Sequence, residues 1–263
     1  MTQEERLVAL RAKLEQQNKV TLSEVCEYFG ISRDSARRDL VKLSQQPGLQ
    51  RIRGGVMLAP ISSHTEAYAS RPVSDVKHRL AQAAAALLDE RDHLVIDTST
   101  ILSLLPLYAG KAHCGENKLN VVTNSNVVTN SIDVLTAAET NDTMDVYFLG
   151  GHFDPYARAV LGAQAEQQMQ QYHVNKAFIG VCALTSRGLT TNSLLEATMK
   201  QAMIAQAQQV IVVCESRKIG SDNFHHVCDL SKIDIIITDH PPQSDFQQLL
   251  DHNDIECIVV SPK

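Results

Sequence analysis

No apolar run in this sequence approaches the ~20 residues that a bilayer crossing requires. The opening MTQEERLVAL is charged and helix-patterned, whereas a secretory signal has a basic start and an apolar middle. A membrane partner is therefore not expected, and the expected location is the cytoplasm. The six cysteines, Cys26, Cys114, Cys182, Cys214, Cys228 and Cys257, contain no Cys-x-x-Cys pair. Three lie in apolar strand-like runs, where a thiol acts as a small hydrophobe, so all six are read as reduced and structural. The ten histidines are equally scattered. His225 and His226 are adjacent, which points them apart in a helix or strand, and no metal site is expected. No compact pair of carboxylates marks out acid–base chemistry. The reading calls for no cofactor and no catalytic residue.

The residues that are present suit one small and one larger domain: 263 in all, of which 44% are hydrophobic. The net charge of −6 is unevenly spread. Residues 1–58 carry ten Lys/Arg against seven Asp/Glu, and between Ile31 and Arg53 the count is six against two. A basic patch on an acidic chain points to one face built for a polyanion.

The first 58 residues read as three helices and a hairpin. Leu7, Leu10 and Leu14 keep helical spacing. LSEVCEYFG forms a short second helix with Ser23 as its expected cap and Gly30 as its end. Ser32 caps a third helix through Leu43, whose inward stripe is Ala36, Leu40 and Leu43. At about 100° per residue, Asp34, Ser35, Arg37, Arg38 and Lys42 fall on the other side. Pro47-Gly48 closes that helix, and LQRIRGGVML reads as two strands around Gly54-Gly55. Helix, tight turn, cationic helix and basic hairpin form the pattern of a winged helix-turn-helix, which places a helix in the major groove of duplex DNA. Arg37 and Arg38 are expected on or beside phosphates, and Arg33, Asp34 and Ser35 near base edges. Ser32, Lys42, Arg51, Arg53 and Gly54 complete the candidate surface. The competing reading is a solvated face whose arginines pair with Asp34 and Asp39.

Residues 59–75, with two prolines and four serines, read as a linker, and Ser74 as the cap of a helix over residues 76–90. Beyond it HLVID, KLNVVT, MDVYFLG, NKAFIGV, QVIVVC, DIIIT and IECIVV are short, β-branched and apolar, with helical segments between several of them. Such strands are buried on both faces of a mostly parallel sheet. Residues 76–263 are thus expected to form an α/β domain. In such sheets ligands settle beyond the carboxyl ends of the strands. The candidates there are Asp97, Thr98, Ser99 and Thr100, helped by a following helix dipole, then Asn124 and Ser125, Gly150 and Gly151, Glu196, and Lys218 as counter-charge. The glutamine-rich AQAEQQMQQY reads as a plain solvent-facing helix.

The stretch LSEVCEYFGISRDSARRDLVKLSQQPGLQRIRGGV closely resembles the N-terminal domain of the DeoR family of bacterial sugar-metabolism repressors. Ser32, Arg37, Arg38, Asp39, Leu40, Gly54 and Gly55 fit that pattern; Ser35 stands where threonine is usual and Arg53 where histidine is. The resemblance continues to the C-terminus. It implies an effector domain similar to ribose-5-phosphate isomerase, with Asp97, Thr100, Thr123, Asn124, Ser125, Gly150, Gly151, Gly188, Leu189, Thr190 and Lys218 in place. Ser99 and Ile101 depart from it, ESRK (Glu215 to Lys218) stands where Asp-Ser-Ser-Lys is common, Asn175 replaces a frequent aspartate, and Ser99 narrows the expected phosphate cradle. The resemblance thus implies a DNA-binding regulator of a carbohydrate operon, specifically a repressor, released by a small phosphorylated sugar and working as a homodimer or homotetramer. The rival is an isomerase-like enzyme with a DNA-binding head, using Glu196 or Glu215 as base.

Overall fold

The computed structural model describes residues 2–17, 19–46, 49–58, 72–109 and 125–260. The chain divides into two compact units, Met1–Ser62 and Ser63–Lys263.

In the first unit α1 (Gln3–Gln17) is followed by β1 (Lys19–Thr21), α2 (Leu22–Phe29), α3 (Arg33–Leu43), β2 (Leu49–Ile52) and β3 (Gly55–Leu58). Leu7, Leu10 and Leu14 of α1, Val25 of α2, and Ala36, Leu40 and Leu43 of α3 share one buried core with Val20, Leu49 and Val56. β1 pairs antiparallel with β3 and makes the wing three-stranded, a strand that its brevity hid in the sequence. The hairpin turn falls on Arg53 and Gly54, where Gly54 takes a φ of 85°. Gly55 instead opens β3 so close to β1 that a Cβ there would run into the Val20 carbonyl. The Pro47-Gly48 stop lies outside the described residues.

The second unit runs α4 (Asp75–Ala85), β4 (His93–Ile96), a 3-10 helix (Leu102–Leu107), β5 (Ser125–Thr129), α5 (Ile132–Ala138), β6 (Met144–Phe148), β7 (His152–Asp154), β8 (Ala159–Leu161) and α6 (Ala163–Met169). It continues with β9 (Val174–Gly180), β10 (Ala183–Thr185), β11 (Gly188–Thr191), α7 (Leu194–Ala205), β12 (Ala207–Val213), β13 (His225–Cys228), β14 (Ile235–Thr238), α8 (Ser244–His252) and β15 (Glu256–Val259). Seven strands form one sheet in the order β15-β14-β12-β9-β4-β5-β6, and every pairing in it is parallel. Period-two alternation splits the apolar residues between its faces. Leu94, Ile96, Phe178, Ile211, Val213, Ile235 and Ile237 meet α4 and the 3-10 helix. Val95, Ala177, Ile179, Val210, Val212 and Ile236 meet α6 and α7. A parallel sheet buried on both faces is what the strand pattern implied.

One expected element differs. Ser74 stands at the N-cap of α4 without making a side-chain cap bond, and the helix stops at Ala85. KLNVVT lies outside the described residues; Ser125–Thr129, which holds the second VVT of the near-repeat VVTNSNVVTNS, is a strand that pairs with His93–Ile96 on one side and Met144–Phe148 on the other.

Candidate nucleic-acid interface and effector rim

In the first unit the cap of α2 is Thr21, not Ser23: Thr21 accepts from the Glu24 N–H while the Glu24 carboxylate accepts from the Thr21 N–H, a reciprocal capping box. Gly30 ends the helix in the left-handed region at φ 62°. Two residues later Ser32 caps α3, its Oγ accepting from the Ser35 N–H at 3.3 Å. The hydroxyls of Ser32 and Ser35 also bond each other at 3.1 Å. With Ala36, Leu40 and Leu43 turned inward, Arg33, Asp34, Arg37 and Arg38 are exposed, and Ser35 is half-buried. Arg51, Arg53 and Gly54 lie on the wing, open to solvent.

The pairing of Arg37 or Arg38 with Asp39 that the competing reading calls for does not occur. Asp39 is fully buried and accepts from the Arg6 Nε at 2.7 Å and the Gln3 Nε2 at 2.8 Å. Among the described residues, neither Arg37 nor Arg38 enters an ion pair. A carboxylate on the inner edge of α3 is thus withdrawn to α1, and the outer edge keeps its positive field. Burial works against the charged Asp39, yet the Arg6 and Gln3 hydrogen bonds and the Arg6 charge hold its pKa below the ordinary value. A depressed carboxylate stabilises the fold above its unfolded pKa of ~3.9, and that contribution is lost as acid titrates it through the lower folded value. The melting-temperature gap between wild type and Asp39→Asn is therefore expected to be full at pH 6–7 and to shrink below about pH 4. Equal gaps at pH 7 and pH 3, read by circular dichroism, would contradict this.

In the second unit the carboxyl ends of the parallel strands share one edge, and the loops there carry the rim. Asp97 follows β4 and is 1% exposed. Its Oδ2 accepts from the Gly180 N–H at 3.0 Å and from Lys200, and Lys200 also donates to the Gly180 carbonyl at 3.0 Å. Asp97 is thus a staple between the ends of β4 and β9 and is closed to a ligand. Burial pushes the Asp97 carboxyl up. Burial also disfavours the Lys200 ammonium, but the Asp97 charge, then those of Cys182 and Glu196, hold it above the usual lysine value. Two N–H donors converging on one carboxylate oxygen, from Gly180 and Lys200, favour the ion pair. Lys200 was absent from the sequence candidates. Its signal is a cation placed in the inward stripe of α7 between Ala197 and Met203.

Thr98 is buried and donates to the Ala157 carbonyl at 3.1 Å. Ser99 accepts from the Ile101 N–H at 3.2 Å, and a Cβ on Gly180 would lie 2.6 Å from its own. Thr100 is half-buried. The helix that follows is a six-residue 3-10 segment containing Pro106, too short and too poorly aligned for the dipole expected of an α-helix. Ser125 begins β5 opposite Met144, the first residue of β6, so it lies on the edge away from the rim. The rim after β5 holds Asn130 and Ser131 in its place. Asn130 is buried, donates to the Val160 carbonyl at 3.1 Å and keeps its Oδ1 without a partner. Asn124 and Thr123 lie outside the described residues. Gly150 and Gly151 follow β6, but the Gly150 N–H and carbonyl are both taken by the Gln168 side chain, at 2.9 and 3.2 Å. The glutamine-rich helix is thus not plain.

Glu196 opens α7 and accepts from the Thr191 hydroxyl at 2.8 Å and the Cys182 thiol at 3.8 Å. Lys218 donates to the Val181 carbonyl; burial pulls its pKa down, opposed by Cys182, Cys214 and Glu215. Asp97, Thr98, Ser99, Thr100, Gly150, Gly151, Glu196 and Lys218 are thereby brought to one edge. Asn175 begins β9 at the other edge, accepting from the His93 N–H, and Gly188, Leu189 and Thr190 belong to the small β10-β11-β13 sheet. Cys26, Cys182, Cys214, Cys228 and Cys257 are unbridged, and burial lifts Cys214 to about 12 and Cys228 to about 11. Among the described residues, no group of three or more His, Cys, Asp or Glu is placed to hold a metal, and no helix is long and apolar enough to cross a membrane.

Residues 6–61 match the DeoR-like helix-turn-helix domain and residues 73–240 the DeoR C terminal sensor domain. The chain is 34% identical over 261 residues to the HTH-type transcriptional repressor GlcR of Bacillus subtilis, covering 98% of this chain and 97% of that protein. It is 25% identical to the glycerol-3-phosphate regulon repressor of Escherichia coli, covering 96% of this chain and 98% of that one. A solved ribose 5-phosphate isomerase A from Methanocaldococcus jannaschii is 13% identical, with a TM-score of 0.37 over 55% of this chain and 54% of its own.

Proposed function

The chain belongs to the DeoR family of transcriptional regulators, and from that premise we propose that it is a cytoplasmic repressor of a carbohydrate-utilisation operon, released from duplex operator DNA by a small phosphorylated sugar. The observation that carries the DNA half is the outward face of α3. Arg37 and Arg38 are exposed there, while the carboxylate of Asp39 is drawn away to Arg6. Repression is supported by relatives whose names describe repressors, among them one of the glycerol-3-phosphate regulon and one of a lactose phosphotransferase system. Residues 1–58 serve as the head, 59–75 as the connector and 76–263 as the sensor. A single small head covers little DNA, so paired heads in a homodimer or homotetramer gain effective concentration.

The effector is placed at the rim near Thr98, Ser99 and Thr100, with Lys218 as its counter-charge. To release DNA it must prefer the state that cannot bind the operator; a 100-fold preference corresponds to ~2.7 kcal/mol of coupling. A thermal-shift screen of phosphorylated sugars on the full chain should find a ligand that raises the melting temperature, since a ligand bound only by the folded state stabilises it. Lys218→Ala should then keep operator affinity and lose the response to that ligand. Induction that survives at ordinary ligand concentration would remove Lys218 from the site.

The rim gives the rival enzyme reading little support. Glu215 is engaged by Arg217 at 2.9 and 3.0 Å, Glu196 by Thr191 and Cys182, and Asp97 by Lys200. Isomer formation from a sugar phosphate at even ~1 s⁻¹, an ordinary enzyme rate, would reverse that ranking.

A further inference from the structure

We propose that a cleft between the start of α1 and the outward face of α3 seats a backbone phosphate of the bound duplex, and that Gln3 is one of its walls. The proposal rests on the DNA-binding function and extends the contact surface beyond α3 and the wing. The cleft has a volume of about 420 Å³ and is lined by Gln3, Asp34, Arg37, Arg38, Val41, Lys42 and Gln45. Three cations face one carboxylate, so the lining is net positive.

The Gln3 side chain is oriented by its neighbours. Its Nε2 donates to buried Asp39 at 2.8 Å, and its Oε1 accepts from the Lys42 Nζ at 3.4 Å. A glutamine amide has two N–H donors; Asp39 takes one, and the other is left for an incoming oxygen acceptor. Lys42 makes its hydrogen bond in the cleft to a neutral partner; its charge reaches Asp39 only through space. The nearest buried carboxylate, Asp39, is already matched to Arg6 at 2.7 Å. A positive, polar, open cleft with an oriented amide donor fits a phosphodiester better than an apolar group or a base edge.

The test is a salt titration of the full chain on labelled mixed-sequence duplexes, read by fluorescence anisotropy. Gln3→Lys keeps a donor for Asp39 and adds a charge to the cleft. It should tighten binding to every duplex and steepen the slope of log K against log salt by about 0.9. Gln3→Glu should weaken binding to every duplex, by roughly tenfold. A Gln3→Lys slope equal to wild type, together with Gln3→Glu binding as wild type, would overturn the proposal. So would an effect confined to one base sequence, which would mean base reading. Calorimetry with inorganic phosphate separates the source: phosphate binding abolished by Gln3→Glu, with duplex binding unchanged, would assign the cleft to a free anion and overturn the DNA seat. If Gln3→Glu fails to fold, the Gln3→Lys slope alone decides. Arg37→Ala and Arg38→Ala are the control. If they leave duplex binding unchanged, the DNA reading itself falls; if they weaken it and the Gln3 variants do nothing, only the cleft does.

Discussion

A chain carrying both Arg37→Ala and Arg38→Ala is expected to bind every duplex more weakly and to lose about 1.8 from its salt slope, about 0.9 for each phosphate no longer neutralised. The two guanidinium groups are exposed and outside any ion pair among the described residues, so their charge is available to a polyanion. The helix that carries them is anchored from its other side by Ala36, Leu40 and Leu43, all buried, so they are presented on a rigid element. Alanine favours the helix, and an exposed substitution of this kind shifts stability by no more than ~0.5 kcal/mol. The loss therefore reads out contact rather than unfolding. Each single variant should remove about half of the slope change. Replacing Asp34 or Ser35 should instead alter preference among duplex sequences, because these short side chains sit at the first turn of α3 where base edges are met. A double variant with the wild-type slope would take the arginines off the DNA.

Lys200→Met should destabilise the larger unit by about 3–5 kcal/mol, because it leaves the Asp97 carboxylate buried without its counter-ion. Over a unit of this size that is a fall of roughly 10 °C in melting temperature. The same change frees the loop of Thr98, Ser99 and Thr100, since Asp97 and Lys200 together hold the ends of β4 and β9 through the Gly180 N–H and carbonyl. Adding Asp97→Asn to Lys200→Met should recover part of the loss: the amide oxygen still accepts from Gly180, and no charge is stranded. Calorimetry of the three chains decides the matter. A Lys200→Met melt within about 2 °C of wild type would mean that Asp97 takes up a proton at little cost or is reached by water.

The winged helix-turn-helix and the parallel sheet were legible because their signals are local. Ser32, Gly30 and the Ala36, Leu40, Leu43 stripe act within a few residues along the chain, and runs such as VIVV and IIIT bury on both faces wherever they pair. The hydroxyls after β4 and the cation of Lys218 were also visible, because a parallel sheet puts all carboxyl ends on one edge whatever the strand order. The first turn of α2 was missed by two residues, since Thr21 and Ser23 both offer a capping oxygen and only the reciprocal bond with Glu24 separates them.

The features hidden from the sequence depend on partners distant along the chain. Nothing near Asp39 announces that Arg6 and Gln3 will claim it, and nothing near Asp97 announces Lys200, 103 residues away. The repeat VVTNSNVVTNS shows one strand pattern twice, and the register of Ser125–Thr129 is chosen only by its pairing with β4 and β6. That choice sends Ser125 to the far edge and brings Asn130 and Ser131 to the rim. The sequence by itself determined the three helices of the head, the apolar strands of the parallel sheet it could reach, and that the head is basic, because burial and capping energies act over a few neighbouring residues. The tertiary structure alone decided which charges are free and which are spent, because a charge is neutralised only by whatever the fold sets beside it.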